Sequence, residues 1–384
     1  MKTNKSNPGN DIRRIPTDPQ TRERFRGCLI GGAVGDALGA PVEFMRRSDI
    51  VERFGEPGIR DYVPAYGRLG AITDDTQMAL FTAEGMLRAW VRANASGIGP
   101  SFTTITAHAY LRWLETQGYR AYSDFARRCA SPGWLITHRE LFSQRAPGTT
   151  CISALQSFRD GNLRAANDSK GCGGVMRIAP VGMFLSHWSG GEDNAEWTFK
   201  FAADIAAITH GHPTGYLAAG TFAVLIAALI RDGTLQEALL GAKEQLRRRD
   251  HNEETLRCVE HAEELSLSEP GSPAAIKKLG EGWTAEEALA ISLYCALCAR
   301  EFEDGVVLAV NHDGDSDSTG AIAGNMLGCL HGVSRIPGRW LEPLEMRELI
   351  TEIADDLATA QDWKLGVYSD SPEAAFYWKR YPPN

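Results

Sequence analysis

The chain has 384 residues, 43% hydrophobic and 23% charged, which fits one large globular domain or two ordinary ones and excludes a fibrous or disordered chain. Its formal net charge of −9 argues against a broad surface that neutralises nucleic-acid phosphates. The opening MKTNKSNPGNDIRRIP has no apolar signal region, and no stretch reaches roughly 18 uninterrupted apolar residues, so a cytoplasmic protein without a membrane span is expected.

Residues 1–22 carry Pro8, Pro16 and Pro19 among polar side chains, a composition that buries little and reads as a flexible arm. Over residues 1–26, seven lysines and arginines face three acidic side chains, a local balance of +4 on an acidic protein. From there on the periodicity is helical, with apolar residues three and four apart in TQMALFTAEGMLRAWV, TTITAHAYLRWLE, GYLAAGTFAVLIAALI, AEEALAISLYCALCA and EMRELITEIADDLATA. Gly- and Pro-rich loops separate these segments near 55–70, 131–150, 168–174, 189–194, 268–273 and 366–373, and none is long enough to force a domain boundary. The expectation is one all-α domain over residues 23–384 behind a basic arm. The closing FYWKRYPPN reads as a packed tail, not a stacking platform for a base.

Two helical stretches carry glycine every fourth residue: Gly27, Gly31, Gly35, Gly39 and Gly320, Gly324, Gly328, Gly332. Glycine costs a helix about 1 kcal/mol relative to alanine, so two such stripes imply backbones that must come close to each other or to a ligand site. The eight cysteines are scattered and read as reduced thiols. The CxxC of Cys295 and Cys298 sits in an apolar run without a second pair to complete a zinc site.

Chemistry concentrates in two acidic clusters. Thr73, Asp74, Asp75 and Thr76 immediately precede an amphipathic helix, where Thr73 suits an N-cap and the aspartates suit the positive end of the helix dipole. In HDGDSDSTG, Asp313, Asp315 and Asp317 alternate before Ser318. Their repulsion is relieved either by solvent or, more completely, by a divalent cation on hard oxygen ligands. An EF-hand starting at Asp313 is excluded, because Ser318 and Gly324 stand where glycine and glutamate are required. Together the clusters supply enough carboxylates and hydroxyls for two Mg²⁺ or Mn²⁺ ions about 4 Å apart. Glu43, four residues past the first stripe, either enters the same pocket or lies at the surface. Gly171, Gly173 and Gly174 in SKGCGGVMRIAP would let backbone amides approach a pyrophosphate, although Met176 breaks a dinucleotide fingerprint. His210 and His212 in THGHP either contact substrate or merely settle at a helix end.

GCLIGGAVGDALGAPVEF, ITDDTQMAL, GCGGVMRIAPVG, THGHPTGYLAAG and DGDSDSTGAIAGNMLG, in this order from residue 27 onward, resemble the ADP-ribosylglycohydrolase family, which includes the enzymes that reactivate ADP-ribosylated dinitrogenase reductase. The resemblance implies an orthogonal multi-helix fold around a binuclear magnesium centre. It implies Thr73, Asp74, Asp75, Asp315, Asp317 and Ser318 as metal ligands, with Asp313 outside the set. Two Mg²⁺ are the expected cofactors, with Mn²⁺ as the alternative. Gly171, Cys172, Gly173, Gly174 and His212 are the expected substrate contacts, with Cys172 standing where relatives often have asparagine. The implied reaction is hydrolysis at the anomeric carbon of the distal ribose, with Asp74 and Asp75 moving the proton and Glu43 as a supporting base. The expected partner is an ADP-ribosylated protein, most readily one modified on arginine, and free ADP-ribose is the product. Two further readings share this scaffold: protection against an ADP-ribosylating toxin, and a non-catalytic interaction or immunity protein whose arm blocks a partner.

Overall fold

A computed structural model describes residues 18–383, apart from 130–131, 160–161, 187–191, 367–368 and 370. Its helices run α1 (Pro19–Gly39), α2 (Arg47–Phe54), α3 (Asp74–Ser96), α4 (Phe102–Thr116), α5 (Asp124–Cys129) and α6 (Thr149–Gln156) in the first part of the chain. The middle holds α7 (Ala179–Leu185), α8 (Glu192–Ala206), α9 (Pro213–Ile230), α10 (Leu235–Arg247), α11 (Glu253–Ser268) and α12 (Pro273–Leu279). The last part holds α13 (Ala285–Cys298), α14 (Phe302–Val310), α15 (Ser316–His331), α16 (Gly338–Leu341), α17 (Arg347–Thr359) and α18 (Pro372–Arg380). Among the described residues the only β pairing is isolated bridges, so the all-α expectation holds.

The first helix starts sooner than its composition suggests. Asp18 Oδ1 accepts the Thr21 N–H at 2.7 Å and Pro19 occupies the first turn, which satisfies an otherwise orphaned donor and pre-sets φ. Residues 19–22, expected to belong to the arm, therefore form the start of α1. The rest of the expected arm, residues 1–17, lies outside the described residues.

The glycine stripes meet each other. α1 and α15 run antiparallel so closely that a Cβ on Gly27, Gly31, Gly35 or Gly39 would sit 1.9–2.4 Å from the carbonyl oxygens of Gly328, Gly324, Gly320 and Ser316. This pairing brings the two ends of the chain together, and α14, α13 and α17 pack around it. α9 has 18 residues with a mean hydropathy of 1.7, long and apolar enough to span a bilayer, yet 83% of it is buried against α7, α8, α10 and α13. Its apolar sequence is that of a core helix.

One ion pair lies wholly inside this core. Glu84 of α3 and Arg112 of α4 form a fully buried bond at 2.7 Å, with the Leu135 N–H on the second carboxylate oxygen. The C-terminal aromatics are packed only in part: Tyr377 stacks on Trp363 and the buried Tyr381 hydroxyl donates to Asp356 at 2.5 Å, whereas Phe376 is 53% exposed.

Candidate metal centre and substrate cleft

The centre is assembled at the end of the α1–α15 pair. Asp36, next to Gly35 on the seam, is wholly buried and accepts the Thr73 N–H with both oxygens at 3.0 Å and the Thr76 N–H at 3.1 Å. The Thr76 hydroxyl donates to it as well. A carboxylate from α1 thus holds the N-terminus of α3, where unpaired amides and the helix dipole favour negative charge. Thr73 also caps its own helix, its hydroxyl accepting the Asp75 N–H at 3.3 Å. Asp74 Oδ2 accepts the Gly148 N–H at 3.2 Å, while Asp75 Oδ1 has no partner.

From the other side, the start of α15 presents Asp315 at its N-cap and Asp317 and Ser318 in its first turn. Asp317 Oδ1 accepts the Ser318 N–H at 2.9 Å, and Asp315 Oδ2 is unpartnered. Glu43, in the turn after α1, points inward: it is 7% exposed, its Oε2 is also unpartnered, and it, Asp315 and Asp317 each offer an oxygen within 4.8 Å of the others. Asp313 instead accepts the Arg47 N–H at 2.7 Å, so its carboxylate serves the start of α2.

Burial, followed by the neighbouring carboxylates, pushes Glu43 up to about 10 and Asp36 up to about 7. Asp74, Asp75 and Asp315 are raised by the same two causes. Stacking anionic oxygens with orphaned lone pairs is costly unless protons or a cation neutralise them. The donor set is all hard oxygen, suits a divalent cation of the magnesium type, and would be drawn from Glu43, Thr73, Asp74, Asp75, Asp315, Asp317 and Ser318.

The glycine-rich loop borders this cluster. It is tied down by Cys172 N–H to Trp283 O at 3.1 Å and Ala285 N–H to Lys170 O at 2.8 Å, and Lys170 bonds Glu254 at 2.7 Å and also Glu286. A Cβ on Gly173 would lie 2.9 Å from Cys151 Sγ and one on Gly174 3.1 Å from Gly215 O, so packing alone already demands small residues there. Cys172 reaches the centre, since the Ser318 hydroxyl lies 3.6 Å from its Sγ. His212 is the N-cap of α9, its Nδ1 accepting the Thr214 N–H at 3.2 Å. His210 lies buried under Gly173, with Nδ1 2.8 Å from the Thr209 hydroxyl.

Three features escape sequence reasoning. Asp36 had a signal, as the single acid in the small and apolar run GGAVGDALGAPV. Phe44, 73% exposed, stacks on Trp283 at 5.8 Å and links the Glu43 turn to the glycine-rich loop across the rim; nothing in the sequence pairs positions so far apart. Tyr66, 44% exposed, has Arg145 5.0 Å over its ring, and its phenol is raised by partial burial and then by the charges of Glu43, Asp317, Asp36 and Asp74. A separate cavity of about 380 Å³ includes Arg47, Arg60 and Arg300 but none of the clustered carboxylates. Its arginines already pair with Glu56, Glu303 and Asp304.

Known proteins resemble this chain over most of its length. The family model for ADP-ribosylglycohydrolase matches residues 17–365. An uncharacterized protein of Archaeoglobus fulgidus is 32% identical over 87% of this chain and 96% of its own. The ADP-ribosyl-[dinitrogen reductase] glycohydrolase of Rhodospirillum rubrum is 27% identical over 86% and 93%, and the ADP-ribosylarginine hydrolase Tri1 of Pseudomonas putida 25% identical over 95% and 84%. A solved structure described as an ADP-ribosylglycohydrolase-related protein complex aligns with a TM-score of 0.62 at 27% identity, covering 89% of this chain and 98% of that one. With the fold, the ordered motifs and the family match in agreement, this chain belongs to the ADP-ribosylglycohydrolase family and is a glycohydrolase of ADP-ribosyl groups.

Proposed function

We propose that this enzyme removes ADP-ribose from arginine side chains of modified proteins, using two Mg²⁺ ions, with Mn²⁺ as a substitute, held by Thr73, Asp74, Asp75, Asp315, Asp317 and Ser318, and with Glu43 beside them. The observation that carries the reading is the buried carboxylate cluster: Glu43, Asp315 and Asp317 each offer an oxygen within 4.8 Å of the others, and Glu43 Oε2, Asp75 Oδ1 and Asp315 Oδ2 are buried without a partner. The arginine linkage draws its support from the name of the Pseudomonas putida relative, an ADP-ribosylarginine hydrolase.

Bound there, the cations would supply Lewis-acid charge and lower the pKa of a water. Asp74 is held in place by the Gly148 N–H, whereas the unpartnered Asp75 Oδ1 and Glu43 Oε2 would take the proton of the attacking water once bound cations offset the burial and carboxylate repulsion that keep both groups protonated. In the Gly171–Gly174 loop, the Cys172 N–H is already given to Trp283 O and the Gly171 N–H to Ser169 Oγ, so the amides of Gly173 and Gly174 would be the ones to face the pyrophosphate, with Gly171 and Cys172 shaping its wall, and the tethers of that loop would fix the distal ribose over the carboxylates. His212, capping α9 with Nδ1, keeps only Nε2 for a substrate contact.

The test is release of ADP-ribose from an arginine-ADP-ribosylated protein, first with EDTA and then with Mg²⁺ restored. Release that returns with Mg²⁺ and disappears in Asp317→Ala is expected; release indifferent to chelation would overturn the metal mechanism, and release from serine-linked substrate alone would overturn the arginine assignment. Reversal of modification by an ADP-ribosylating toxin would be one use of the same reaction. The arm that would engage such a toxin falls in residues 1–22, mostly outside the described residues, and removal of residues 1–17, which keeps the Asp18 cap and the whole of α1, should leave hydrolysis intact.

A further inference from the structure

The rim beside the carboxylates is aromatic. Phe44 directly follows Glu43 in the turn after α1, and it is 73% exposed. That turn is fixed by the Val42 N–H on Gly39 O at 2.8 Å and the Met45 N–H on Val42 O at 2.9 Å, so the ring hangs from backbone held on either side of it. Its partner Trp283, 39% exposed, stacks at 5.8 Å between centroids with 18° between the planes. Trp283 is tied to the same centre by its neighbours. A Cβ on the preceding Gly282 would lie 3.4 Å from Asp315 Cβ, and Trp283 O accepts the Cys172 N–H at 3.1 Å. Among the described residues no lysine or arginine covers the Phe44 or Trp283 ring, whereas Tyr66 already carries Arg145.

In an arginine linkage a guanidinium nitrogen is bonded to the anomeric carbon itself, so a planar cation stands one bond from the reacting atom. A ribose placed over the carboxylates therefore sets that cation beside Glu43, and the next side chain along the turn is Phe44. A delocalised planar cation takes an aromatic face both by stacking and by attraction to the ring quadrupole. A carboxylate at this position would also attract it, but would compete for any cation held by the cluster; the ring adds no charge. A serine linkage presents a neutral oxygen at the same point and gains nothing from the ring face.

We propose that the open face of Phe44, braced from behind by Trp283, receives the guanidinium of the ADP-ribosylated arginine and so selects arginine over serine linkage. The inference rests on the arginine reading of the reaction. Phe44 is the specificity-determining contact, and Trp283 is a positioning residue that holds its ring.

The full-length protein with Mg²⁺ is assayed on an arginine-ADP-ribosylated protein, and its affinity for free ADP-ribose is measured by calorimetry. Phe44→Leu keeps an apolar side chain and removes the aromatic face; Phe44→Tyr keeps the face; Trp283→Leu removes only the brace. All three changes lie at the surface, and circular dichroism reports whether the variants fold. In Phe44→Leu, kcat/KM on the arginine-linked substrate should fall by about 3- to 30-fold, the span of a cation held on an aromatic face. Phe44→Tyr should retain the natural value, and Trp283→Leu should lose less than Phe44→Leu. Affinity for ADP-ribose should be unchanged in all three, because the product carries no guanidinium; a ring that merely shaped the ribose site would move it. Arginine hydrolysis that is unaltered in Phe44→Leu, or a loss matched by an equal loss of ADP-ribose affinity, overturns the proposal while leaving the arginine reading standing. A natural protein that releases ADP-ribose from serine-linked substrate alone overturns both.

Discussion

Asp36 is an acid with no metal-facing role in the sequence pattern and a structural one in the fold. It accepts two backbone amides and a hydroxyl at the start of α3, all inside the core. Asp36→Ala should leave those donors unpaired and cost about 3 kcal/mol in a denaturant melt, with Asp36→Asn costing distinctly less because one oxygen remains. Equal losses from the two variants would speak against the capping role. His210 gives a separate, pH-dependent term. Burial, and then Arg177, hold its imidazole down to about 3 from an ordinary 6.5. A group buried neutral in this way contributes stability that is complete above pH 6.5 and is lost as pH falls toward the folded value, because the unfolded chain takes up the proton first. Urea melts of His210→Gln should therefore show a flatter loss of stability than the natural protein between pH 6.5 and about pH 4, and parallel curves would remove His210 from the acid limb.

At the scale of elements, the α1–α15 seam is the least forgiving contact. A Cβ on Gly35 would fall 1.9 Å from the Gly320 oxygen, and both atoms belong to backbone that other helices hold in place. Gly35→Ala is expected to destabilise by more than about 3 kcal/mol, beyond the usual cost of overpacking, and to weaken cation binding because Asp36 and Asp317 ride on the two helices. Gly241 offers the contrast: it is inside α10 with nothing within 4 Å of its would-be Cβ. Gly241→Ala should raise stability by about 0.5–1 kcal/mol through helix propensity alone. Thermal melts of the two variants side by side measure how far a glycine's neighbours, and not its helix position, set the outcome. The same lesson applies to the glycine-rich loop, where Gly173 and Gly174 answer to Cys151, His210 and Gly215 beneath them before they answer to any ligand.

For the whole molecule, the centre depends on bringing residues 36–43, 73–75 and 315–318 to one point. Each cluster alone is only a helix end or helix start with acidic residues. Their carboxylates repel one another across the buried site, and a cation that binds only the folded arrangement must stabilise it. Mg²⁺ at about 100 times its dissociation constant should add about 2.7 kcal/mol, seen as a rise in melting temperature that EDTA reverses. Asp317→Ala should lose most of that rise. A melting temperature indifferent to Mg²⁺ and Mn²⁺ in the natural protein would sink the cation reading on a measurement independent of hydrolysis.

The sequence by itself determined the helical class, through apolar spacing of three and four, and both acidic clusters, because helix starts and alternating carboxylates are local patterns. It also contained the ordered motifs by which the family is recognised. Only the tertiary structure decided which partner each group found. It matched the two glycine stripes to each other, directed Glu43 inward and Asp313 away to α2, turned His212 into a cap, and set Cys172 against Ser318 and Phe44 against Trp283. The physical reason is separation: these contacts join residues as far apart as Gly27 and Gly332, and no local propensity encodes which distant backbone or carboxylate will fill the other side of a contact.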